Sequence, residues 1–119
     1  MCNGHRDHLE TSEIMLECGL QFYTLGNIAD AADILNRSVS SFPPQSHKQA
    51  VARWMLGAVQ WHSRDMRHSA LASWERSIDN FKNLALKADY EDKQKQKEWY
   101  LGLIEVLEPA SQEMIQKNY

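Results

Sequence analysis

The sequence predicts an all-α fold: a short solenoid of antiparallel helix-turn-helix units closed by a C-terminal capping helix. Three observations predict it. First, residues 12–50 and 51–89 are two copies of one unit at a spacing of 39, with no insertion. Met15 aligns with Trp54, Cys18 with Gly57, Gly19 with Ala58, Phe22 with Trp61, Ala31 with Ala70 and Leu35 with Trp74. Arg37-Ser38-Val39 with Phe42 returns as Arg76-Ser77-Ile78 with Phe81. Second, the apolar residues within each half-unit recur at i, i+3, i+4 and i+7, the period of one helical face. Third, the breakers Gly26 and Pro43-Pro44 fall between those faces and not inside them. Units of this size that read as paired helices bury their apolar faces on one another and leave a surface for a partner.

Taken in order, the first helix is expected from about Asp7 or Thr11 to Leu25, with Met15, Cys18, Gly19 and Phe22 on its inner face. Asp7 and Glu10 have the spacing of a capping pair. Gly26-Asn27 supplies a left-handed stop and the N-cap of the second helix. That helix, about 28–41, turns Ala31, Leu35 and Val39 inward, and Pro43-Pro44 ends it because neither proline has an N–H to donate. Ser46 with Gln49 forms a capping box for a third helix over about 47–63. Its inner stripe is Trp54, Gly57, Ala58 and Trp61.

Asp65 is expected to cap the fourth helix, which carries Ala70, Trp74, Ile78 and Phe81 and runs on past Phe81 because no breaker follows. Residues 89–97 are almost wholly polar, a loop or an exposed helix start. A fifth helix, about 95–107, opens with Trp99-Tyr100-Leu101-Gly102, an echo of Trp54-Met55-Leu56-Gly57 and so the first half of a third unit. Pro109 suits a first helical turn, so a short final helix over about 110–117 is expected at an angle to it. The division is a flexible N-terminus (1–10), then one repeat domain (11–119) with repeats at 12–50 and 51–89 and a half repeat with capping helices over 95–117.

The order of large, small and aromatic residues resembles the tetratricopeptide repeat (TPR). The first unit supplies Met15, Gly19, Phe22, Gly26, Ala31, Leu35, Ser38 and Pro43. The second supplies Trp54, Ala58, Trp61, Ala70, Trp74 and Ser77, with Asp65 in place of the turn glycine and Lys82 in place of the final proline. In packing terms, small residues at Gly19, Ala31, Ala58 and Ala70 bring two antiparallel helices close, and large ones fill the space around them. A period longer than the family's 34 implies longer second helices or longer loops. The resemblance implies a right-handed superhelix. It also implies a concave surface that takes Glu13, Leu16, Leu20, Tyr23 and Thr24 from the first helix and Ala52, Met55, Val59, His62 and Ser63 from the third. The fifth helix adds Lys97, Tyr100, Ile104 and Leu107. Family members that clamp a peptide carboxylate use Lys, Asn and Arg at such places, and this surface is mainly apolar instead.

Composition narrows the function by exclusion. The 119 residues are 43% hydrophobic and 24% charged with a net charge of −3, ordinary for one globular domain and unattractive to phosphate backbones. Lys82, Lys87, Lys93, Lys95 and Lys97 are interleaved with Asp89, Glu91, Asp92 and Glu98, so their field cancels. No apolar run approaches the ~20 residues of a membrane span, and the N-terminus lacks the apolar core of a secretory signal. Cys2 and Cys18 do not make a disulfide framework, so a cytoplasmic protein with Cys18 as a packing residue is expected. Cys2, His5 and His8 have a loose metal-ligand spacing without a second paired motif, and no metal or cofactor is expected. No phosphate loop, nucleophile elbow or His-Glu-x-x-His run is present, so an enzyme is not expected.

The function expected is non-catalytic protein–protein interaction, as a scaffold or adaptor. A partner's apolar peptide or helix would lie on Leu16, Leu20, Tyr23, Met55, Val59, His62 and Tyr100. The alternatives are a regulatory or sensor portion working beside an effector domain, and a homodimerisation module that uses the same face. A third possibility is that the chain's own C-terminal helix fills the groove.

Overall fold

A computed structural model describes residues 8–118 of the chain, with side chains over 11–116. Every regular element among them is helical: α1 (His8–Thr24), α2 (Ile28–Ser41), α3 (His47–Trp61), α4 (Arg67–Tyr90) and α5 (Gln94–Asn118), with a 3₁₀ turn at Arg64–Met66 before α4. Each helix packs chiefly on the one that follows it, α1 on α2, α2 on α3, α3 on α4 and α4 on α5. The expected flexible segment 1–10 lies largely outside the described residues.

The turn chemistry explains most of these boundaries. Gly26 has φ +82°, the left-handed conformation that stops α1 at no steric cost. Asn27 holds the N-cap position of α2, but its side chain makes no capping bond. α2 ends at Ser41, ahead of the two prolines. The Ser46 hydroxyl oxygen accepts the Gln49 N–H at 3.1 Å, and Gln49 Oε1 in turn accepts the Gln45 N–H at 3.0 Å, so the capping box forms one residue wider than expected. Asp65 caps nothing: it lies in the 3₁₀ turn, and Met66 stands at the N-cap of α4. α5 passes through Pro109 without breaking, so the expected angled final helix is instead the second half of one continuous helix. Proline there leaves the Glu105 carbonyl without its usual donor, and on an exposed helix water can supply one.

Two apolar clusters hold the chain together. One joins Ala31, Ala32, Leu35, Val39 and Phe42 to Ala52, Leu56 and Val59 of α3. The other joins Ala50 and Phe81 to Ile104, with Val51, Leu84, Tyr100, Leu103 and Leu107 around it. Cys18 is buried, as expected of a packing residue, but it is disulfide-bonded and not a free thiol. The other cysteine of the sequence, Cys2, lies outside the described residues.

Within each hairpin a glycine sets the helix separation. A Cβ on Gly19 would stand 2.5 Å from Leu35 Cγ, and one on Gly57 would stand 2.5 Å from Trp74 Nε1. Two turns before each glycine, a backbone carbonyl accepts a serine hydroxyl from the opposite helix. Ser38 donates to Ser12 O at 2.8 Å, and Ser77 donates to Ala50 O at 2.7 Å. Leu35 and Ser38 correspond to Trp74 and Ser77 at a spacing of 39, whereas Gly19 and Ser12 correspond to Gly57 and Ala50 at a spacing of 38. The uniform period of 39 is therefore corrected. The first helices repeat at 38, and the extra residue sits in the turn that Arg64–Met66 occupies. Gly57, not Ala58, is the close-approach residue, and Ala58 is exposed.

Trp74 enters the slot over Gly57 between two tryptophans seven residues apart. Trp54 and Trp61 each stand 5.4 Å from it by ring centroid, and Trp74 Nε1 donates to the Trp54 carbonyl at 3.2 Å. Burial of this ring to 2% exposure stabilises the hairpin by about 3 kcal/mol. Gly57→Ala is expected to lower stability by about 1–3 kcal/mol, because Trp74 must leave its slot. Gly102→Ala on α5, where an added Cβ meets nothing within 4 Å, is expected to raise it by up to about 1 kcal/mol through helix propensity. Paired thermal melts measure both, and equal effects at the two sites would contradict the seam.

Candidate functional site

The expected groove forms only in part. Leu16, Leu20 and Met55 are half-buried, and Tyr100 is half-buried beside the second core cluster. Tyr23 and His62 are exposed and meet each other: Tyr23 Oη stands 2.8 Å from His62 Nε2, with ring centroids 5.3 Å apart. This contact links the C-terminal ends of α1 and α3. Val59 does not belong to the surface. It is 3% exposed, inside the cluster that α2 and α3 share, and Ala52 and Ile104 are buried as well. The cause is the register: one residue of slip turns a helix by about 100°, which carries Val59 from the open face into the interface with α2.

What the fold adds is a cleft between α1 and α3, about 320 Å³, lined by Glu13, Leu16, Phe42, His47, Lys48 and Val51. Its rim is charged: Lys48 Nζ donates to Glu13 Oε1 across the two helices, and Glu17, exposed, lines it as well. His47 forms one wall and carries the apolar surface onward to α5, with ring centroids 5.0 Å from Trp99, 5.9 Å from Tyr100 and 6.1 Å from Phe81. Leu16, Val51, His47, Trp99 and Tyr100 thus extend one apolar face over three helices. Sequence reasoning missed His47 and Trp99 in this role. His47 follows a capping serine and reads as a helix start. Trp99 reads as core by analogy with Trp54, yet it is 51% exposed.

His47 Nδ1 is buried with no hydrogen-bond partner. Burial, and after it the charge of Lys48, hold the imidazole below its usual pKa, because a proton there would be desolvated beside a cation. Burial alone pushes the Tyr100 phenol above its usual value, so it stays protonated. A larger cleft of about 500 Å³ lies between α2 and α4, but Asp33, Asn36, Gln60 and Arg76 make its lining mixed and polar.

The remaining candidates place as follows. Lys82 pairs with Glu108 and Lys97 with Asp89, each at 2.8 Å, and Lys93 with Glu91 at 3.7 Å, so these lysines do not form a one-sign patch. Among the described residues no group of three His, Cys, Asp or Glu side chains is placed to hold a metal ion. Of the loose Cys2–His5–His8 spacing, two members lie outside the described residues and the His8 side chain is not described. No described helix is long and apolar enough to cross a membrane. No family model, no curated protein and no solved structure matches the chain.

The depressed His47 pKa has a direction in stability. As pH falls below about 6.5 the unfolded chain takes up the proton first, so the fold loses stability through that range. Thermal melts between pH 7.5 and 5 are expected to show a smaller fall in Tm for His47→Phe than for the parent. Parallel curves would mean that His47 titrates alike in both states.

Proposed function

We propose that the chain is a non-catalytic protein–protein interaction module of the tetratricopeptide-repeat kind, which binds an apolar helix or peptide along the α1–α3–α5 face. Leu16, Leu20, Met55 and Tyr100, joined by Val51, His47 and Trp99, supply the apolar contact. Tyr23, His62 and the Glu13–Lys48 pair stand at its rim and set the orientation. The observation that carries this reading is the continuity of that face. An open cleft lined by Leu16 of α1 and by His47 and Val51 of α3 is extended to α5 by the contacts of His47 with Trp99 and Tyr100.

Several features support it. The two hairpins share a glycine seat and a serine bridge, as repeats of one unit do. The molecule measures 42 × 41 × 18 Å, and its thinnest dimension matches about two layers of helix. Apolar grooves of this kind recognise amphipathic helices by inserting anchors at helical spacing.

The reading predicts that a fluorescent amphipathic Leu/Lys helical peptide binds the parent, and that Leu20→Glu with Met55→Glu weakens binding by at least about tenfold, or 1.4 kcal/mol. Circular dichroism is expected to be unchanged, because both side chains are only half-buried. Light scattering of the same two proteins checks the rival occupant. A parent dimer that becomes a folded monomer in the variant would place a second copy of the chain on this face.

A further inference from the structure

The seam that receives a helix in each hairpin exists a third time, on α5, where among the described residues no helix is seated over its glycine. In α3 the seam runs through Ala50, Trp54, Gly57 and Trp61, and α5 carries Lys95, Trp99, Gly102 and Val106 at the same intervals of four, three and four. Those intervals place the four residues on one helical face. It is not the face that meets α4, which uses Tyr100, Leu103, Ile104 and Leu107. A Cβ at Gly19 or Gly57 would collide with a large side chain from the pairing helix, whereas one at Gly102 meets nothing within 4 Å. The residues flanking Gly102 are open too: Trp99 is 51% exposed and Val106 67%.

We propose that the Trp99–Gly102–Val106 seam of α5 is a docking site for one antiparallel amphipathic helix of a partner protein. That helix carries a large apolar residue four positions after a small one and three before a serine. The occupant follows from the two seams already filled. Both take Ala-x-x-x-large-x-x-Ser, as Ala31, Leu35 and Ser38 in α2 and as Ala70, Trp74 and Ser77 in α4. In both, the serine hydroxyl donates to the carbonyl seven residues before the glycine, which in α5 is the carbonyl of Lys95. The large side chain would enter over Gly102 between Trp99 and Val106, as Trp74 enters over Gly57 between Trp54 and Trp61. Glu98 and Glu105, one turn before and after Gly102, both exposed and on the same side of it, favour a partner helix with basic residues along that flank. This site shares Trp99 with the α1–α3–α5 face, whereas Gly102 and Val106 belong to the seam alone.

The direct test uses a fluorescein-labelled synthetic peptide of residues 67–82, which carries the small, large and serine positions together with Arg67, Arg76 and Lys82. It is titrated with the whole chain by fluorescence anisotropy. Saturable binding is expected, with a loss of at least about tenfold in the Gly102→Leu chain and a similar loss for the peptide with Trp74→Ala. Leucine at 102 projects into open space, so circular dichroism and Tm should show an intact fold in that variant. The Leu20→Glu/Met55→Glu chain should bind this peptide as the parent does, which separates the seam from the cleft. The proposal is overturned by no saturable binding up to about 1 mM, or by binding that Gly102→Leu leaves unchanged. It is also overturned by a parent dimer that Gly102→Leu converts to a monomer, since a second copy would then be the occupant.

Discussion

The close approach of two helices over a glycine is the constraint from which the rest of this structure follows. Without a Cβ at Gly19 and Gly57, Leu35 and Trp74 lie directly on the opposite backbone. Only at that separation can Ser38 and Ser77 reach a carbonyl across the hairpin. The serines are fully buried, so each hydroxyl needs such a partner, and a donor–acceptor pair of this type fixes the sliding register that apolar contact alone would leave loose. A large side chain over glycine sets the distance; a hydroxyl on a carbonyl sets the register.

A second polar device fixes one hairpin against the next. The turn after α2 places Gln45 at φ +60°, and its side-chain oxygen accepts from Asn80 Nδ2 at 2.7 Å and from Asn83 Nδ2 at 3.3 Å. Asn80, itself buried, accepts from Arg53 Nη1, and Gln49 Nε2 donates to the Val39 carbonyl at 3.1 Å. The loop between the repeats is therefore tied to α4 as well as to α2 and α3. With the loop held, α1 and α3 lie near enough for the Glu13–Lys48 and Tyr23–His62 contacts, and α3 and α5 near enough for His47 to reach Trp99. The face proposed to bind a partner is a consequence of this arrangement and not of any local motif.

The all-helical class, the positions of the turns at Gly26 and Pro43-Pro44, and the pairing of Leu35 with Trp74 were legible in the chain, because 3.6-residue periodicity and backbone chemistry are local properties. The candidate site was legible only in outline. Leu16, Leu20 and Met55 are half-buried, while Val59 is core and Ala58 is exposed. A uniform spacing of 39 concealed the slip because the second helices, whose residues match best, do repeat at 39.

By itself the sequence determined that this chain makes paired amphipathic helices with glycines at their inner faces, since helix periodicity and the missing Cβ are written into residue order. Only the tertiary structure decided which residue of each first helix meets its partner. An extra residue in the Arg64–Met66 turn rotates a whole helix by about 100°, and only contact with the facing helix reveals which glycine is then seated. The tertiary structure alone also brought His47 and Trp99, 52 positions apart, into one apolar face, and left Gly102 open where Gly19 and Gly57 are filled.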